Sequence, residues 1–429
     1  MRGAFGGDKV VARKTRVKMG ELYRKGFSNK AAVRQKLADD FHHSDIVRRI
    51  KANDFSLEAG DLSLHMAREM GFCYGVERTV QYAYETLEKF PDRNIYITDE
   101  IIHNPQVNEK LIDLGMKFLY GRYSCGKQVD ELGKTDIVLI PAFGVPVADM
   151  KKLSDRGCIL VDTTCGSVLN VWKNVERYSR DNVTAIVHGK YSHEETRATI
   201  SQVTKYPQGK YLVVKDIPET HVVCDYIRNG GDAAAFLKKF ENSVSQDFDP
   251  ARDLVRIGLA NQTTMMCSES LEIQKLLREA MVARYGEAEI SKRFIAFDTI
   301  CSATQDRQDT LMALLRSTKL DLVLVVGGFN SSNTGHLAEL GSEYAPTYHV
   351  ENELGLVSSD EIRYRNPKSG SVVTARGWLA PGKLAIGVTA GASTPDNIVG
   401  HVIERLLEIR GIALEESAPS PAAPSPTRA

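Results

Sequence analysis

The sequence has no excess charge of either sign: 55 Lys and Arg are offset by 55 Asp and Glu. Nothing global therefore steers the chain toward nucleic acid or an anionic membrane. It also lacks long apolar runs. Stretches such as LDLVLVVGGF suit buried strands and are too short to span a bilayer. No secretory signal is visible at the N-terminus. The cysteines number seven, an odd count, scattered through 429 residues and never spaced C-x-x-C. That argues against a disulfide scaffold and for a reducing compartment.

What remains is an ordinary globular composition, 42% hydrophobic and 26% charged, with chain enough for roughly two to four domain-sized units. The charge is uneven, for residues 1–51 hold 14 Lys/Arg against 5 Asp/Glu. A transit segment would be rich in serine and poor in acids. Here Ser28 and Ser44 stand alone, and Asp8, Glu21, Asp39, Asp40 and Asp45 interrupt the basic run. The segment reads as a solvated helical extension. The tail APSPAAPSPTRA has the composition of a disordered end.

Three cysteines share one setting. In CILVDTTCGSVLNVWKNV and FIAFDTICSATQDRQDTLMALL, an apolar run leads through Asp-Thr-x-Cys into a helical pattern. GFCYGVERTV repeats the step into a helix, so Cys73, Cys165 and Cys301 each sit just ahead of a helix N-terminus. Each helix is followed by two units of strand, polar loop and helix. The pattern predicts a basic extension over 1–61 and three α/β repeats over 62–164, 165–297 and 298–410. The second repeat carries an insertion at 205–250, and a tail covers 411–429. Strands alternating with helices imply parallel sheets, whose ligand site lies beyond the strand C-termini. Pseudo-threefold symmetry would bring three cysteines and six polar loops to one centre.

A helix N-terminus favours the thiolate, the metal-binding form. Three thiolates can hold a [4Fe–4S] cluster by three irons and leave the fourth open to substrate. The gaps between them are 92 and 136 residues, so equivalent placement, and not spacing, carries this reading. Structural cysteines and a three-thiolate zinc site stay open on the sequence. Cys125, Cys158, Cys224 and Cys267 have no matching placement and read as free thiols.

The loops GGFNSSN and TAGASTPD offer backbone N–H groups, hydroxyls and an amide ahead of helices, which suits phosphate. Neither is a Walker or G-x-G-x-x-G pattern, and each alone reads sooner as an ordinary helix cap than as a phosphate cradle. With His103 in IIHNP and His193 in KYSHEET they make a diphosphate-sized site. Glu195 could deliver a proton, or could close a capping box on Ser192. The NQTT loop could serve a polar substrate group or cap a helix.

The motifs GFCYGVERTVQ, HNPQVNEKL, VDTTC, HGKYSHEET, NQTT, TICSATQDRQ, GGFNSSN and GVTAGASTPD, in this order over roughly residues 62 to 405, resemble the 4-hydroxy-3-methylbut-2-enyl diphosphate reductases. The plant and cyanobacterial branch is the most similar, and YRKGFSNK extends the likeness toward the N-terminus. The resemblance implies a trefoil of three α/β units around one oxygen-sensitive [4Fe–4S] cluster per chain. It implies reductive removal of an allylic hydroxyl, giving isopentenyl and dimethylallyl diphosphate. Ferredoxin or flavodoxin would supply single electrons. Carried onto this chain, Cys73, Cys165 and Cys301 hold the cluster, Glu195 is the proton source, and Thr263 hydrogen-bonds near the hydroxyl. His103, His193, Ser331, Ser332, Asn333 and Ser393 fall at diphosphate-binding positions.

Two departures stand out. Phe143 replaces the histidine of the Ala-His-Gly loop found in many bacterial members, which removes one diphosphate donor. Gly166-Ser167 follows Cys165 where proline is usual, which frees that loop. A monomer or homodimer in a bacterial cytoplasm, rather than a plastid stroma, is expected, with no nucleic-acid or membrane partner. A different threefold cluster enzyme, such as a quinolinate-synthase-like dehydratase, and a non-catalytic homologue are the other readings.

Overall fold

The structure, a computed structural model, describes residues 21–24, 26–27, 30–297 and 299–413. Residues 1–20 of the basic extension, part of YRKGFSNK and residues 414–429 of the expected tail lie outside the described residues.

Numbered along the chain, sixteen strands among the described residues build three sheets. The first is ordered β1 (Leu22–Tyr23), β7 (Ile159–Asp162), β6 (Ile137–Ile140), β4 (Ile95–Ile97), β5 (Lys117–Phe118), all parallel. The second is β11 (Phe294–Ala296), β10 (Ile257–Asn261), β8 (Thr184–His188), β9 (Tyr211–Val214), also parallel. The third is β15 (Val372–Arg376), β14 (Glu361–Arg365), β13 (Thr347–Val350), β12 (Leu322–Val326), β16 (Leu384–Ala390), β3 (Leu62–Met66), β2 (Ser56–Ala59). Its central strands β13, β12, β16 and β3 are parallel, and the flanking strands are antiparallel. β6, β8, β10 and β12 are buried at every residue, as strands covered on both faces must be. This is why they read as continuous apolar runs.

The three sheets share one plan. Within each, four neighbouring parallel strands lie in the order fourth, third, first, second: β7-β6-β4-β5, β11-β10-β8-β9 and β3-β16-β12-β13, with β1 added outside β7 in the first. The third sheet obtains its fourth strand from the start of the chain. This corrects the expected boundary at residue 62, for β3 pairs with β16 and belongs to the third sheet. The expected solvated extension is corrected as well. Helix Asp45–Ala52 buries Ile46, Val47 and Ile50 in the core of the third sheet, and Val33, Leu37 and Phe41 enter the core of the first. Their helical spacing lies hidden among Lys and Arg on the opposite face. The insertion at 205–250 contains β9, the counterpart of β5 and β13. The added part is the helices Ile217–Asn229, Ala233–Lys239 and Pro250–Asp253.

Connections reverse direction between the first and third strands of each sheet, so the loops after these strands face a crevice. These are the six loops after β4, β6, β8, β10, β12 and β16. The fourth strands lead into the three cysteines. Leu64 in β3 is fully buried against this plan. Leu64→Ala should cost about 2–5 kcal/mol of stability in urea unfolding. A loss under about 1 kcal/mol would mean that β3 is dispensable to the third sheet.

Candidate active site

Cys73, Cys165 and Cys301 cap the helices Tyr74–Lys89, Gly166–Arg180 and Ser302–Ser317. Each hangs from one equivalent hydrogen bond to the loop after the third strand of its own sheet. Cys73 N–H donates to Ala392 O at 3.1 Å, Cys165 N–H to Ala142 O at 2.8 Å and Cys301 N–H to Thr263 O at 3.3 Å. Cys73 Sγ accepts the Val76 N–H at 3.4 Å, and Cys301 Sγ accepts the Thr304 N–H at 3.3 Å. Cys165 has no such side-chain cap, and its helix opens on Gly166. A β-carbon at Gly75 would sit 2.6 Å from Cys165 Sγ, so this glycine leaves room for the sulfur. Burial pushes the Cys301 thiol up to about 11, and burial raises the Cys165 thiol too, each helped by nearby Cys73. Without a cation these sulfurs hold their protons. A bound metal reverses that preference.

Helix Glu194–Ser201 begins after His193, whose Nδ1 accepts the Glu195 N–H at 3.2 Å. His193 is therefore the cap, and the capping box on Ser192 does not form. Glu195 instead turns to the loop after β10. Its carboxylate accepts the Thr263 N–H at 2.6 Å and the Thr263 Oγ1–H at 3.0 Å. The side chain is buried, and burial raises its pKa to about 7 against the pull of both Thr263 donors. A carboxyl so placed carries a proton near neutrality.

His103 lies on the loop after β4. Its Nδ1 meets Glu100 Oε2 at 3.1 Å, and Asn330 Nδ2 donates to the same oxygen. Phe143 stacks on the His103 ring at 4.6 Å and 10°, and the His193 ring stands edge-on at 5.1 Å. The Phe143 departure thus gives up a donor and gains a face that fixes His103. Ser393 Oγ donates to His103 O at 3.0 Å. Ser331 caps helix Ser332–Ser342, accepting the Thr334 N–H. The cap reading of this loop therefore holds for Ser331. Asn333 Oδ1 accepts the Ala392 N–H at 2.8 Å, which turns its Nδ2 away from that contact.

All eleven candidate residues line one cavity. Four of its buried polar atoms have no hydrogen-bond partner: His103 Nε2, His193 Nε2, Ser332 Oγ and Asn333 Nδ2. With Nδ1 accepting, neutral His193 carries its proton on Nε2. Burial holds its pKa well below the usual histidine range. Such orphans cost free energy unless a ligand meets them. Sequence reasoning missed Glu100 and Asn330, which hold His103, and Arg307, buried on the helix after Cys301. Arg307 Nη2 donates to Gly71 O at 2.7 Å. Asn330 lies inside the GGFNSSN motif, and Glu100 lies three residues before His103. Cys125, Cys158, Cys224 and Cys267 do not line the cavity.

Glu195 holds a proton between its ordinary 4.5 and about 7 that the unfolded chain releases. Its contribution to stability therefore falls as pH rises through that window. Glu195→Gln lacks this loss. The urea midpoint of the variant relative to the parent should rise from the acid to the alkaline side of the window. A pH-independent difference would contradict a buried protonated carboxyl.

A family model for the LytB protein matches residues 64–407. A 4-hydroxy-3-methylbut-2-enyl diphosphate reductase of Gloeobacter violaceus is 44% identical over 408 residues, which cover 94% of this chain and 96% of the relative. One of Crocosphaera subtropica is 43% identical over 387 residues, covering 90% and 94%. The solved structure of the E-1-hydroxy-2-methyl-but-2-enyl-4-diphosphate reductase from Plasmodium falciparum shares the fold, with a TM-score of 0.58 at 20% identity. The match covers 80% of this chain and 87% of that one. The sequence match over most of its length means that the chain belongs to the LytB protein family.

Proposed function

We infer that this chain reductively dehydroxylates (E)-4-hydroxy-3-methylbut-2-enyl diphosphate to isopentenyl and dimethylallyl diphosphate, the last step of the non-mevalonate isoprenoid pathway. The observation that carries this reading is one cavity with three cysteines and a buried carboxyl whose pKa burial raises to about 7, lined also by four residues with orphaned polar atoms. The relatives named above favour it over a quinolinate-synthase-like dehydratase or a non-catalytic homologue. In the reaction the allylic C–O bond breaks and the oxygen leaves as water. Two electrons enter, one proton goes to the departing hydroxyl and one to carbon.

The donor set fits an iron–sulfur cluster better than a single ion. A tetrahedral zinc would hold its sulfurs about 3.8 Å apart. Among the described residues the one set of three metal-type donors within 4.8 Å of one another is His103, His193 and Glu194, and the cysteines are not such a set. Thiolates set that far apart suit a centre that puts a different iron under each. Bound at Cys73, Cys165 and Cys301, a [4Fe–4S] cluster would supply single-electron transfer and one Lewis-acidic iron without a protein ligand.

The chain's own residues do the rest. His193, Ser332 and Asn333 donate to the diphosphate oxygens through their otherwise unpaired atoms, and the His103 ring, held through Nδ1 by Glu100, forms the wall beside them. Phe143, Glu100 and Asn330 keep the His103 ring in place. Glu195 delivers the proton, and Thr263 holds its carboxyl in one orientation by two hydrogen bonds. The preceding loop fixes Thr263 through the Cys301 N–H, so proton source and metal ligand share a support. The electron donor is a ferredoxin or flavodoxin. A bacterial cytoplasm is the compartment that fits the cyanobacterial relatives. Among the described residues no helix is long and apolar enough to cross a membrane.

Glu195→Gln should cut turnover by about 10²–10⁴-fold while leaving the substrate dissociation constant within a few-fold. Equal loss of binding would make Glu195 a substrate contact instead. Turnover should fall as pH rises through about 7, where Glu195 loses its proton. Thr263→Val removes one donor that stabilises the carboxylate and should move that limb to higher pH. A limb that stays put assigns it to another group. Gly75→Ala drives a methyl onto Cys165 Sγ and should lower the iron and sulfide content after anaerobic reconstitution. Full content with an unchanged visible spectrum would remove Cys165 from the ligand set.

A further inference from the structure

A second cavity, of about 250 Å³, adjoins the first and shares His103, His193, Ser331 and Ser332 with it. Two half-buried cations line it that the chemistry above leaves unused. Lys190 follows β8 in the loop that carries His193. Arg365 is the last residue of β14, part of a strand pair that the other two sheets lack. Arg365 Nε donates to Gly370 O at 3.0 Å, which leaves both Nη groups for another partner. Gly335, on helix Ser332–Ser342, makes room for that guanidinium: a β-carbon there would lie 3.2 Å from Arg365 Nη1.

Neither cation has a carboxylate within ion-pair distance among the described residues. Glu339 and Glu269 lie close enough to influence Lys190, but they pair with His336 at 4.0 Å and His188 at 3.6 Å. Glu194, on the same wall, faces His103 Nε2 at 3.6 Å and His193 Nδ1 at 3.8 Å. Burial lowers the Lys190 pKa, so this ammonium lacks the solvation it would have in water. Two underused cations next to a diphosphate-sized site call for a multivalent anion.

We propose that Lys190 and Arg365 form an outer anion station, which receives the diphosphate group before it seats on His103, His193 and Ser332. The station rests on the reductase reading and adds residues to it. It acts on capture and affinity, and it leaves the C–O cleavage step to the inner cavity. Arg365 reaches the site only because β14 and β15 extend the third sheet.

The test uses the anaerobically purified holoprotein and its Lys190→Gln, Arg365→Gln and double variants. Inorganic pyrophosphate binding is measured by calorimetry, and kcat and KM with 4-hydroxy-3-methylbut-2-enyl diphosphate. Each loss of charge should raise KM and the pyrophosphate dissociation constant about tenfold, with kcat within twofold. The double variant should also show a weaker dependence of kcat/KM on salt. Lys190→Arg and Arg365→Lys should retain most of the affinity. A double variant that binds pyrophosphate and substrate like the parent overturns the station and leaves the reductase reading intact. A fall in kcat at unchanged KM overturns it too. A parent that binds neither anion overturns both.

Discussion

The site depends on one repeated hydrogen bond. The backbone N–H of each cysteine reaches a carbonyl in the loop after the third strand of its sheet, at Ala392, Ala142 and Thr263. That bond fixes where each helix starts, and so where its sulfur and the positive end of its dipole stand. The same loops carry other site groups. Ala392 receives a bond from Cys73 and gives its own N–H to Asn333, while Thr263 supports both Cys301 and Glu195. A shift in one loop therefore moves a cysteine and a second residue of the cavity together.

The cysteine helices are also tied to one another. Thr79, the sixth residue after Cys73, donates through Oγ1 to Thr163 O at 3.0 Å, two residues before Cys165. Arg307, the sixth after Cys301, donates to Gly71 O, two residues before Cys73. Val171 occupies the corresponding place after Cys165 and is simply buried. The threefold pattern is strict in backbone geometry and loose in side-chain chemistry. Arg307 is buried and gives its guanidinium to two backbone carbonyls, Ala303 O and Gly71 O, so it ties the helix after Cys301 to the turn before Cys73.

Much of this was legible in the sequence, because the relevant signals are local. A helix start after Asp-Thr-x-Cys, a fully apolar strand and a small-polar loop each depend on a few adjacent residues. That is why the three cysteines, Glu195 and the small-polar loops could be read as neighbours, and they do line one cavity. What escaped depended on distant pairing. β3 looks like the first strand of the first unit until its partner β16 is known. Val33, Phe41 and Ile50 look like a charged surface helix until two cores are there to receive them. The capping-box reading of Glu195 failed because Thr263, 68 residues away, offers two donors where Ser192 offered one. Phe143 looked like a missing donor because ring stacking on His103 leaves no trace in spacing.

The borrowed fourth strand has a consequence for how the molecule is made. β3 and Cys73 leave the ribosome long before β16 and Ala392, which complete their sheet and hold that cysteine. The first two sheets can close as they appear, but the third cannot. The nascent chain therefore passes through a long stage with two cysteines housed and one unsupported. A complete three-sulfur site exists only after the last βα unit has folded back onto the first strands. Loading of any metal centre is thus held back until β16 has emerged, by topology alone and without a dedicated inhibitor.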